Sequence, residues 1–211
     1  MATPRHTRRA VLAWSLLIPA APALAQRPKV VTMLGDSITA GYGLSAAAAL
    51  PNQLHLALAK LGVANVVRAA GVSGDTTAGA LARVDFSVQK DTDLAIVALG
   101  GNDLLQGQDA RRTKANLDAI VRKLQARRIG VLIAGIAAPV EVGGGYARDF
   151  NAAFTTVGKT RGVPVYPDLI AGVGRNTALK QGDGIHPNAR GVAIIAQRLV
   201  PVVAKALAAR R

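Results

Sequence analysis

The chain has 211 residues, half of them hydrophobic, and 26 Lys and Arg against 12 Asp and Glu give it a formal charge of +14. That length and apolar content suit one α/β domain with a sizeable core and exclude a disordered chain. The absence of Cys excludes disulfides, thiolate metal sites and a Cys nucleophile.

Residues 1–25 have the layout of a secretory signal. Arg5, Arg8 and Arg9 make the first nine residues basic, 10–20 is largely apolar, and Ala23-Leu24-Ala25 is a small-residue cleavage site. The apolar run is too short for a stable membrane anchor. Arg8-Arg9 after Thr7 fits a twin-arginine signal as well as an ordinary basic leader, and an uncleaved N-terminal helix is the alternative. Cleavage after Ala25 leaves a domain over 26–211, expected in the periplasm or secreted. It removes three arginines and no acid, lowering the charge to +11, and leaves His55 and His186 as the histidines.

Apolar runs at 29–34, 64–69, 93–99, 130–137 and 163–166 predict strands buried on both faces of a parallel sheet. Between them lie helical patterns. Pro51 suits the first turn of a helix over 51–61 that Gly62 ends. In 110–128, Leu117, Ile120, Val121 and Leu124 recur at helical spacing, with Gly130 as the stop. Asn188 is a candidate N-cap for a last helix carrying Val192, Ile195 and Leu199, which Pro201 is expected to kink or break. Gly143-Gly144-Gly145 reads as a mobile loop. The alternation predicts an α/β fold: a single doubly wound (flavodoxin-like) five-stranded parallel sheet flanked by helices.

Four short motifs sit at the carboxyl ends of strands or just before a helix. Gly35-Asp36-Ser37 follows the first strand, where a Ser hydroxyl can stand exposed at the sheet edge as a nucleophile; a plain turn is the other reading. Ser73-Gly74-Asp75-Thr76 follows the second, where Gly74 can offer its N–H and Asp75 or Thr76 can cap a helix. Gly100-Gly101-Asn102-Asp103 follows the third, with Asn102 able to point a neutral amide into a cleft or to form a turn. No Walker or dinucleotide spacing accompanies these glycines. Asp183-Gly184-Ile185-His186 precedes the last helix. Its Asp can curl back to the imidazole Nδ1, leaving Nε2 free to take a Ser proton. His55, within Leu54-His55-Leu56 and without an acid nearby, reads as structural. Asp36 and Asp103 read as loop-holding carboxylates.

Together these motifs resemble the SGNH (GDSL-type) hydrolases, closest to the bacterial periplasmic branch of arylesterases, thioesterases and lysophospholipases. The likeness extends over 29–200 and includes Tyr146-Ala-Arg-Asp-Phe-Asn-Ala-Ala-Phe154; Ile38 stands where Leu is usual. The resemblance implies Ser37 as nucleophile, His186 as base and Asp183 as its orienting acid. It implies an oxyanion hole from the N–H groups of Ser37 and Gly74 and the amide of Asn102, and acyl or aryl esters as substrate, with lysophospholipids and acyl thioesters within its range. Leu104 and Leu105 either line an acyl pocket or simply begin a short helix. No cofactor, metal or nucleic-acid partner is expected: Asp183 and His186 alone do not make a metal site, and no aromatic-basic interleaving is present. A monomer is the expected state. The competing readings are a carbohydrate O-deacetylase of the same superfamily and a lipid-binding module without turnover.

Overall fold

The structure, a computed structural model, describes residues 27–209; the expected leader lies outside the described residues. Among those residues, strands form over β1 (Lys29–Gly35), β2 (Asn65–Gly71), β3 (Leu94–Ala98), β4 (Gly130–Ala134) and β5 (Val165–Tyr166). They pair in the order β2-β1-β3-β4-β5, all parallel. Gly35 is in register with Gly71 on one side and Ala98 on the other, so the loops leaving β1, β2 and β3 emerge along one edge. The winding direction reverses between β1 and β3, where such sheets open a crevice.

The helices are α1 (Ser37–Ala40), α2 (Leu50–Lys60), α3 (Thr77–Ser87), α4 (Gly101–Leu105), α5 (Ala110–Ala126), α6 (Gly144–Arg161) and α7 (Ala189–Ala208). Strand alternation divides the core into two layers. Val31, Met33, Ile96 and Leu132 face one side and pack with residues of α2 and α7. Leu34, Ala95, Val97 and Ile133 face the other and pack with α3, α5 and α6. The α5 stripe Leu117, Ile120, Val121 and Leu124 is fully buried, each side chain contributing about 1.5–3 kcal/mol. α7 is long and apolar enough to cross a membrane, but Val192, Ile195, Leu199 and Val203 belong to the core.

Several boundaries differ from expectation. β2 is an edge strand with only Asn65 fully buried, so it is not covered on both faces. β4 stops at Ala134, and at Gly135 the chain threads past the Phe154 ring, 2.9 Å from where a Cβ would stand. β5 keeps two residues of the expected run. α5 ends through Arg128, which takes a left-handed conformation (φ 61), and Gly130 opens β4 instead. Gly144 and Gly145 form the first turn of α6 rather than a loop. Burial of Ala147, Phe150, Phe154 and Val157 along that helix outweighs the roughly 1 kcal/mol that each glycine costs in it. α7 runs through Pro201 unbroken. Pro201 and Gln197, whose carbonyl the proline cannot serve, are both exposed, so the missing bond falls on the solvent side of the helix.

Candidate active site

β1 ends at Gly35, and the chain turns at once into α1. Asp36 caps that helix, its Oδ1 accepting the Ile38 N–H at 3.0 Å. Ser37 is the first helical residue. The end of β2 crosses beneath this turn at Gly71, where a Cβ would lie 2.3 Å from the Ala40 nitrogen; only glycine permits that approach.

The 183–187 turn returns to the same edge. Ser37 Oγ lies 2.9 Å from His186 Nε2, and His186 Nδ1 lies 2.6 Å from Asp183 Oδ2. Asp183 Oδ1 also accepts the N–H groups of Ile185 and His186, at 2.9 and 3.0 Å. The bond from His186, followed by these two N–H groups, holds the Asp183 carboxyl down to about 2. An ionised acceptor on Nδ1 puts the ring proton there, so Nε2 accepts from the Ser37 hydroxyl. The Tyr42 ring covers the imidazole at 4.6 Å between centroids.

The other two motifs meet at the cleft that Ser37 and His186 line. Thr76, not Asp75, caps α3, accepting the Gly79 N–H. Gly74 takes a left-handed conformation (φ 82). Asn102, in the first turn of α4, donates from Nδ2 to the Asp75 carbonyl at 2.9 Å. Asp103 is buried behind them and accepts the Thr77 N–H at 2.9 Å and hydroxyl at 2.5 Å, and the Thr113 hydroxyl at 3.2 Å. The carboxylate therefore ties the loop after β2 to the loop after β3. Burial pushes the Asp36 carboxyl up to about 6, against the opposing pull of the Ile38 N–H and of His186.

A cleft of about 490 Å³ opens over Ser37. Gly74, Asn102 and His186 line it, and Leu104 and Leu105 share its apolar wall with Ile38, Ile136, Ile170 and Ile185. The two leucines thus both end a short helix and face the cleft. The structure brings together Ser37, Gly74, Asn102, Asp183 and His186. His55 lies elsewhere, on α2, with its Nδ1 2.9 Å from Asn65 Oδ1. Among the described residues no group of three or more His, Asp or Glu could hold a metal ion.

Sequence reasoning gave no site role to Ile38, Tyr42 or Ile185, which lie within the motifs, nor to three residues outside them. Ile136 and Ile170 reach the cleft from loops with no motif of their own. Gln181 donates from Nε2 to the carbonyls of Tyr42 (2.8 Å) and Pro187 (3.0 Å), fastening the His186 turn to the segment after Ser37. Its place two residues before Asp183 was the one available signal.

Comparison with known proteins agrees with this architecture. The model of the GDSL-like Lipase/Acylhydrolase family matches residues 33–194. The chain is 34% identical to Esterase TesA of Pseudomonas aeruginosa over 78% of its own length and 83% of that protein's. It is 35% identical to Thioesterase 1/protease 1/lysophospholipase L1 of Escherichia coli K12 over 74% of each. The crystal structure of AlinE4, an SGNH-hydrolase family esterase, superposes with a TM-score of 0.72 at 38% identity, over 86% of this chain and 98% of that one. The chain belongs to the GDSL-like lipase/acylhydrolase family.

Proposed function

We propose that this member of the family is an exported serine esterase and thioesterase that hydrolyses acyl or aryl esters through an acyl-enzyme. The observation that carries the reading is the 2.9 Å contact of Ser37 Oγ with His186 Nε2, at the floor of an apolar cleft. Ser37 Oγ attacks the acyl carbon while His186 Nε2 takes its proton. Asp183 holds the imidazole in the required tautomer and stabilises the imidazolium. The tetrahedral oxyanion is received by the N–H groups of Ser37 and Gly74 and by the second N–H of the Asn102 amide. Collapse breaks the bond to the alcohol or thiol, which leaves with the proton from His186. Water, deprotonated by His186, then releases the acid and restores Ser37.

The leucine and isoleucine wall supports an acyl or aryl group rather than a sugar as the part of the substrate that is gripped. Each methylene buried there contributes about 0.8 kcal/mol. The basic leader and the small-residue site at Ala23–Ala25 support export to the periplasm or beyond.

An alkyl fluorophosphonate tests the nucleophile. The folded protein should lose activity on treatment and carry the phosphonyl mass on the peptide containing Ser37. Labelling of another serine, or none, would contradict the reading.

A further inference from the structure

Arg83, on α3, does not line the cleft, yet its guanidinium joins the segments that carry the oxyanion donors. Nε donates to Asp75 Oδ2 at 2.8 Å, and Nη2 lies 2.7 Å from the same carboxylate. Nη2 also donates to the Gly35 carbonyl, and Nη1 to the Ala70 carbonyl and the Ser87 hydroxyl, each at 3.0 Å. Gly35 is two residues before Ser37. Asp75 directly follows Gly74, and its own carbonyl is the acceptor for Asn102. One planar cation thus reaches within two residues of the Ser37 and Gly74 donors, and one hydrogen bond from the third.

The loop needs such a tie. Val72, Ser73 and Gly74 are exposed, and no atom lies within 4 Å of the place where a Gly74 Cβ would stand. Side-chain packing therefore does not hold Gly74; its turn is closed by the main-chain bond from the Asp75 N–H to the Val72 carbonyl, at 3.1 Å. The loop is held at its near end by the Val72 N–H on the Gly35 carbonyl at 3.0 Å and at its far end by Asp103 on Thr77, and Arg83 on Asp75 is the side-chain tie next to Gly74. The guanidinium suits this place because its donors form a rigid fork, which the point charge of lysine cannot reproduce.

We infer that Arg83 is a positioning residue for the oxyanion hole, setting the mutual placement of the Ser37, Gly74 and Asn102 donors without touching substrate. This rests on the reading of the site given under Proposed function.

The test compares Arg83→Lys, Arg83→Met, Asn102→Ala and the Arg83→Lys/Asn102→Ala double variant on p-nitrophenyl butyrate. Rates are expressed per active site titrated with fluorophosphonate, which removes any unfolded fraction. Misplaced donors should lower kcat about 10- to 100-fold with KM within about twofold. The double variant should be several-fold more active than the product of the two single losses predicts, because both substitutions damage one hole. Unchanged kcat per titrated site, or losses that simply multiply, would overturn the inference. Should the Arg83 variants not fold, Asp75→Asn weakens the same tie from the other side and is read in the same way. Ser37→Ala runs alongside. If it retains wild-type turnover, the reading of the site fails; if it is inactive while the Arg83 variants match wild type, only the role of Arg83 fails.

Discussion

The Asn102 carboxamide donates to the main-chain oxygen of Asp75 at 2.9 Å. One N–H of the planar amide is thereby committed to the loop, and the other is left for the cleft that Asn102 lines. Asn102→Ala should keep the fold and lower kcat about 10²- to 10³-fold with little change in KM, the usual loss for one oxyanion donor. Steady-state kinetics on a p-nitrophenyl ester check this, and turnover close to wild type would remove Asn102 from the hole.

Asp183 is held ionised, its carboxyl at about 2 because His186 and two main-chain N–H groups bond it. Its contribution to stability is complete above the ordinary Asp range and is lost only as pH falls toward 2. It therefore supplies no protonation step to catalysis above about pH 4. Asp183→Asn retains the shape but presents an amide that can turn an N–H toward Nδ1. That favours the wrong tautomer, and under the proposed mechanism a fall in kcat of about 10⁴ is expected by analogy with hydrolases that use a Ser-His-Asp triad. A loss of less than about tenfold would show that the carboxylate is dispensable.

Asp36 behaves oppositely. Burial raises its carboxyl to about 6, so between about pH 4 and 6 the folded protein binds a proton that the unfolded chain has released. Stability from this group falls as pH rises through that window and stays lower above it. Asp36→Asn retains an oxygen to cap Ile38 and has no charge to bury. At pH 8 it should be more stable than wild type by up to about 3 kcal/mol, with the difference vanishing near pH 4. Urea unfolding at the two pH values measures this, and equal differences at both would contradict it.

Leu105 is 67% exposed yet lines the cleft. Leu105→Ala should change stability by less than about 0.5 kcal/mol while weakening the grip on long acyl groups. Wild-type kcat/KM should rise roughly fourfold per methylene along a p-nitrophenyl ester series until the apolar wall is filled. The variant should climb less steeply and leave acetate hydrolysis unchanged. Parallel slopes in the two proteins would place the acyl group elsewhere.

The parts of this site that were legible in the sequence are those where chemistry forces a residue type into a short segment. Gly35-Asp36-Ser37, Gly74, Asn102 and Asp183-Gly-Ile-His186 each follow a strand or precede a helix, and the parallel register that brings them to one edge follows from the alternation of strands and helices. Arg83, Gln181, Ile136 and Ile170 were not legible because their roles depend on which distant carbonyl or cavity they reach. The start of α6 at Gly144 and the continuity of α7 through Pro201 were misread for a related reason. Local propensity argued against each helix, and tertiary burial along its apolar stripe prevailed. β2 was expected to be buried on both faces because 64–69 is, like the other four segments, a largely apolar run; its position at the sheet edge is a property of strand order.

The proposed mechanism turns on Ser37 as the nucleophile of an ester hydrolase. It is tested by hydrolysis of p-nitrophenyl esters from acetate to palmitate, with residues 26–211 and the same segment carrying Ser37→Ala run in parallel. Turnover by the unsubstituted protein should increase with acyl length to a maximum, and turnover by Ser37→Ala should be indistinguishable from the uncatalysed rate across the series. Ester hydrolysis that survives in Ser37→Ala, or an unsubstituted protein inactive on every ester, would contradict it.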